Sequence, residues 1–149
     1  MPKEPPLVTR LLSLGPRQWV DLLRALTELA KARWSIRYHS TQDLIRLARH
    51  RNPASSIADD AAASFVRRVA CAIPRVAARV PWRADCLVQA VAAQSWLASK
   101  GIASDLHIGV RQNRGAGFEA HAWLHYREHP ITGGNVAGFK TLVTPDTKL

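Results

Sequence analysis

Apolar side chains follow two different periods along this chain, and the change from one to the other divides it. From Gly15-Pro16 onward, Trp19, Leu22, Leu23, Leu26, Leu29 and Ala30 recur at steps of three and four, with Arg17, Arg24, Glu28 and Lys31 mostly opposite. That pattern predicts a core-facing helix, opened by a proline suited to the first turn. The stretch from Arg33 to Tyr38 fits neither period. Ser40 or Thr41 suits the N-cap of a short helix carrying Leu44, Ile45, Leu47 and Ala48, and Asn52-Pro53-Ala54-Ser55-Ser56 reads as a loop. Asp59 and Asp60 favour the start of the next helix, where carboxylates meet the positive end of the dipole. That helix groups Phe65, Val66, Val69, Ala70 and Ile73, with a break or kink expected at Pro74 and an end at Val80-Pro81.

A further helix is predicted from Cys86 to Ser99, with Leu87, Ala90, Val91 and Leu97 inside, Asp85 as its cap and Gly101 closing it. The period then changes. Leu106, Ile108 and Val110 alternate with Asp105, His107 and Gly109, which is strand spacing. After a turn at 112–117, Phe118, Ala120, Ala122, Leu124 and Tyr126 share one face of a second strand, and Glu119, His121, Trp123 and His125 share the other. A second turn near 127–130 leads to a further strand, and Gly133-Gly134 suggests a bend. Helices first, then one long helix packed on a small antiparallel sheet, make an α+β architecture. The expected organisation is a single domain over 1–149, with a mainly helical part at 1–82 and a helix-plus-sheet part at 83–149.

Length and composition agree with that frame. The 149 residues suffice for one core, and 47% apolar with 21% charged residues is ordinary for a soluble globular protein. Apolar runs are interrupted well before bilayer length, and the first six residues lack the apolar stretch of a secretory signal. Two cysteines, Cys71 and Cys86, make no disulfide framework, so a reducing cytoplasm with both thiols free is expected. The net charge of +10 is uneven. Residues 61–83 carry Arg67, Arg68, Arg75, Arg79 and Arg83 without one acid, whereas 84–149 is nearly neutral. Such a surface suits an acidic peptide or partner protein, or is simply a solvated helix face. No zinc-finger spacing, helix-turn-helix or basic-aromatic interleaving points to nucleic acid.

Candidate chemistry centres on Cys86 and His121. A thiol attacks as thiolate, a form favoured by a helix N-terminus and a nearby imidazolium. Cys86 falls at a predicted first turn, where backbone N–H groups are unpaired, and His121 on a later strand. Cys71, with no acid, base or helix start beside it, reads as a small buried hydrophobe. His121, His125 and His129 would stack as metal ligands only on a helix, and the strand pattern around them argues against a metal site. A catalytic imidazole needs a third group to orient it. Asn135 is the first choice and Thr132 the second, because no Asp or Glu lies ten to fifteen residues after His121. For the oxyanion, the Cys86 backbone N–H is the default donor. The Trp82 indole N–H is either a second donor or a packing group.

Four segments together resemble a known series: Arg83-Ala84-Asp85-Cys86-Leu87-Val88-Gln89-Ala90, Leu97-Ala98-Ser99-Lys100-Gly101-Ile102, Leu106-His107-Ile108-Gly109-Val110-Arg111, and Phe118-Glu119-Ala120-His121-Ala122-Trp123-Leu124. They are similar to the B2 leader peptidases of lasso-peptide biosynthesis, a transglutaminase-like, papain-related group, over about residues 75–132. The resemblance implies a cysteine peptidase that cuts a ribosomally made precursor between leader and core, with Cys86 as nucleophile and His121 as base, and no cofactor. It implies three partners: the precursor's leader, a small B1-type leader-binding protein, and a lasso cyclase that closes the freed core. The family usually has an Asp about twelve residues past the His, where this chain has Gly133. Acyl transfer or amidase chemistry on the same fold, and a non-catalytic scaffold, are the alternative readings.

Overall fold

The computed structural model describes residues 14–40, 43, 58–113, 115 and 117–144. Among them are three helices, α1 (Pro16–Tyr38), α2 (Asp59–Ala77) and α3 (Cys86–Ala98), and four strands, β1 (Asp105–Asn113), β2 (Gly117–Tyr126), β3 (His129–Pro130) and β4 (Lys140–Val143). Helices followed by a sheet make the chain α+β, as its pattern predicts.

α3 is the centre. It is apolar on nearly all sides, the pattern of a helix wrapped by others. Val88, Ala90, Ala92, Ala93, Trp96 and Leu97 are all buried, against α1 and α2 on one side and the sheet on the other. Leu29 of α1, Val69 and Ile73 of α2, and Leu106 and Leu124 of the sheet complete one cluster. Burying a side chain of this size fully is worth about 1.5–3 kcal/mol. Gly101 ends α3 with φ +70, and Ile102 N–H returns to Leu97 O at 3.1 Å, which turns the chain into β1.

The sheet is antiparallel in the order β3-β2-β1-β4. In its register Gly109 faces His121, His107 faces Trp123 and Arg111 faces Glu119. Leu106 and Leu124 therefore turn toward α3, while His107, His121 and Trp123 belong to the opposite row. The Trp123 ring lies across Gly109, where a Cβ would stand 2.7 Å from Cη2 of the indole and 2.8 Å from Lys140 O. Phe139 closes over this row, 6.2 Å from Trp123 and 5.0 Å from His121 between ring centres.

Several expectations change. α1 buries Ala25, Leu29 and Ala32 together with Asp21 and Glu28, leaving Trp19 (40%), Leu23 (59%) and Leu26 (38%) exposed. Small alanines let α1 approach its neighbours closely, and Glu28 is tolerated inside because Arg24 meets it at 2.7 Å. Pro74 does not break α2, which runs on to Ala77. Cys71 is exposed rather than buried. Residues 131–136 are bends and coil, and the fourth strand comes from 140–143 instead. Ser40 Oγ donates to Asp43 Oδ2 at 2.6 Å and accepts from Asp43 N–H at 3.2 Å, a capping pair. Thr41, Leu44, Ile45, Leu47, Ala48 and the loop at 52–56 lie outside the described residues.

Candidate active site

Cys86 is the first residue of α3 because Asp85 caps that helix: Asp85 Oδ1 accepts from Val88 N–H at 3.2 Å. Its thiol is half-buried. As the N1 residue, it stands among backbone N–H groups that have no intrahelical carbonyl to meet. Gln89, one turn on, is tied by Nε2 to Ala84 O at 2.8 Å, which fixes the connection leading into the helix.

His121 stands where β2 has an open edge, since β3 pairs only with His125 and Tyr126. Beyond β3 the chain stays beside that edge: Ile131 N–H donates to Leu124 O at 2.8 Å, and Thr132 Oγ1 accepts from Leu124 N–H at 3.1 Å. This delivers Gly133, whose carbonyl oxygen lies 2.7 Å from His121 Nε2. A carbonyl only accepts, so Nε2 carries the proton in the neutral ring and Nδ1 is left as the acceptor. Trp123 and Phe139 stack beside the imidazole with ring planes 26° and 31° from it. Arg111 lies over Phe139 at 4.5 Å while pairing with Glu119 at 2.8 Å, which steadies that wall.

Cys86 and His121 line one cleft of about 490 Å³, with Gln89 and Thr132–Gly134 beside them and Ala70 and Pro74 across it. Pro74 has no N–H, so Ala70 lacks the helical donor four residues on. The cleft is thus bounded by a helix N-terminus, an imidazole with one nitrogen committed and one available, and backbone acceptors. Such a set of groups can activate a thiol, accept an acyl group on sulfur and move one proton.

The other anticipated residues fall elsewhere. Asn135 is exposed, its Oδ1 accepts from Ala137 N–H at 3.0 Å, and the atom on His121 is Gly133 O. Thr132 lines the cleft, but its hydroxyl holds the β2 edge. Trp82 is not among the cleft's lining residues; its indole N–H is buried with no hydrogen-bond partner among the described residues. Sequence reasoning missed the Gly133 carbonyl, because a backbone atom leaves no side-chain signal; the bend at Gly133-Gly134 was the only trace. It also missed Gln89 and the ring wall of Trp123 and Phe139.

The remaining histidines form a separate group. His107 and His125 lie 4.4 Å apart between ring centres, and the Trp123 indole N–H donates to His125 Nε2 at 3.2 Å. Burial pushes His107 below the usual imidazole range, reinforced by the charge of His125 and opposed by Asp105. Burial likewise lowers His125, with Asp105 opposing and His129 adding to the effect. Among the described residues no group of three or more His, Cys, Asp or Glu is placed to hold a metal ion. Nor is any described helix long and apolar enough to cross a membrane.

The family model described as the transglutaminase-like superfamily matches residues 25–144, and the chain belongs to that superfamily. No curated protein and no solved structure matches the chain.

Proposed function

We propose that this member of the transglutaminase-like superfamily is a cysteine peptidase that removes the leader from a ribosomally made lasso-peptide precursor, acting in the cytoplasm beside a small leader-binding protein and a cyclase. The observation that carries the catalytic part is the shared cleft: a thiol on the first residue of a helix and an imidazole with an available Nδ1 line the same walls. The leader-specific part is supported by the four sequence segments that resemble the lasso leader peptidases.

Cys86 sulfur attacks the carbonyl at the leader–core junction as thiolate, and His121 Nδ1 holds the proton it gave up. The tetrahedral oxyanion is met by the Cys86 backbone N–H at the start of α3. His121 returns the proton to the departing core amine as the C–N bond breaks, leaving the leader as a thioester on Cys86. His121 then takes a proton from water, whose oxygen attacks the thioester; the leader leaves as a free acid and the thiol is restored. Gly133 O steadies the imidazolium throughout, as a neutral dipole rather than a charge.

Acyl transfer passes through the same thioester and ends with an amine in place of water. Mass spectrometry in ¹⁸O-labelled water separates the outcomes, using a lasso-type precursor with and without the leader-binding protein. The peptidase reading expects a leader acid carrying one heavy oxygen with the native protein and an uncut precursor with Cys86→Ala. Amine incorporation would establish transfer. An intact precursor with both proteins would establish a scaffold.

A further inference from the structure

α2 carries a second, basic groove away from the thiol cleft. Ser64, the adjacent pair Arg67 and Arg68, Cys71 and Arg75 recur about once per helical turn along a face that meets Gln18, Asp21 and Leu22 of α1 across a groove of about 370 Å³. The charges there are not equivalent. Arg68 is committed to Asp21, with Nε 2.9 Å from one carboxylate oxygen and Nη2 2.5 Å from the other, so this pair is internally neutral. Arg67 and Arg75 are exposed and form no ion pair among the described residues, and no acid occurs anywhere in 61–83.

The floor is apolar, made by Leu22 and Ala72. On the next stripe of α1, Trp19, Leu23 and Leu26 face solvent rather than the core. Unpaired guanidinium groups beside exposed aliphatic and indole surface match a ligand with carboxylates on one side and large apolar side chains on the other. Nucleic acid would use the charges but gain nothing from Leu22, Leu23 and Leu26. The preceding residues 1–13 carry Lys3 and Arg10 against Glu4, a balance that does not complement two free arginines.

We infer that the α1–α2 groove is a docking site for an acidic amphipathic segment of another protein. The groove shares no lining residue with the Cys86 cleft, so this inference stands apart from the peptidase reading.

Fluorescence anisotropy of the full chain tests it, using a panel of labelled peptides about four helical turns long with Glu and Asp on one face and Leu and Phe on the other. The controls are the same compositions scrambled, the Glu-to-Lys versions, and a single-stranded oligonucleotide. Saturable binding is expected only for the acidic amphipathic members, weakening with added salt. R67E and R75E should each weaken it by about tenfold and Leu23→Ser by several-fold, while K100E, equal in charge change but remote, and Cys86→Ala stay within about twofold. Thermal melts establish that each variant is folded; R67Q and R75Q replace any charge reversal that is not. The inference is overturned by absence of saturable binding, by arginine variants that bind as the native chain does, by scrambled peptides binding equally, or by preferred binding of the oligonucleotide.

Discussion

His121 Nε2 lies 2.7 Å from the carbonyl oxygen of Gly133, twelve residues on in the chain. The orienting group is therefore part of the main chain. Gly133 reaches that place with φ +89, and a Cβ there would stand 2.6 Å from Trp123 Cβ and 3.0 Å from His121 Nε2 itself. Absence of a side chain and presence of the carbonyl at the ring are one arrangement.

Gly133→Ala should thus both strain the loop and displace the imidazole. We expect a stability loss of about 1–3 kcal/mol from the positive φ alone, and slower reaction of Cys86 with iodoacetamide. Gly133→Asp should fare no better, since its Cβ meets the same atoms. Gly138, at φ +85 with its nearest neighbour 3.7 Å away, is the control. Gly138→Ala should pay the backbone cost in a urea melt and leave Cys86 reactivity unchanged.

Asn135 and Thr132 should separate cleanly. Asn135→Ala removes only a bond to Ala137 N–H on the surface, and the alkylation rate of Cys86 should remain within about twofold. Thr132→Val removes the acceptor of the buried Leu124 N–H and should cost about 1–3 kcal/mol. A slow Cys86 in Asn135→Ala would return Asn135 to the site.

The paired imidazoles on the outer row make stability depend on pH. Folding lowers the affinity of His107 and His125 for protons, so between their folded values and the unfolded value of about 6.5 the unfolded chain binds more protons. Stability is then fullest above that value and falls as pH drops through it. Protonation of His125 also removes the acceptor of the Trp123 indole N–H. Melting temperature should fall between about pH 7 and about pH 5.5, and the slope should flatten in the double variant His107→Gln, His125→Gln. An unchanged slope would assign the dependence to other groups.

Much of this arrangement is legible in the sequence because its signals are local. Asp85 and Gly101 bracket α3 and place Cys86 in the first turn, and alternation sets out β1 and β2 with His121 on the outer row. The sequence does not show which stripe of α1 is inside, since Trp19, Leu23 and Leu26 are more apolar than the Ala25 and Ala32 that pack closely. Burial of Asp21 and Glu28 depends on Arg68 and Arg24, and only the Arg24 pair is a near neighbour in the chain. Pro74 looks like a breaker by propensity, yet packing of Val69 and Ile73 carries α2 past it. The pairing of β4 with β1 is a long-range contact with no local mark.

The most direct measurement is the alkylation rate of Cys86 by iodoacetamide at slightly acidic pH, in a Cys71→Ser background so that one thiol is read. If Cys86 and His121 work as a pair across their shared cleft, His121→Ala should slow the reaction by about tenfold or more, with the fold intact by circular dichroism. Equal rates in the two proteins would mean that the imidazole does not act on the sulfur, and the account of this chain as a thiol peptidase would be contradicted.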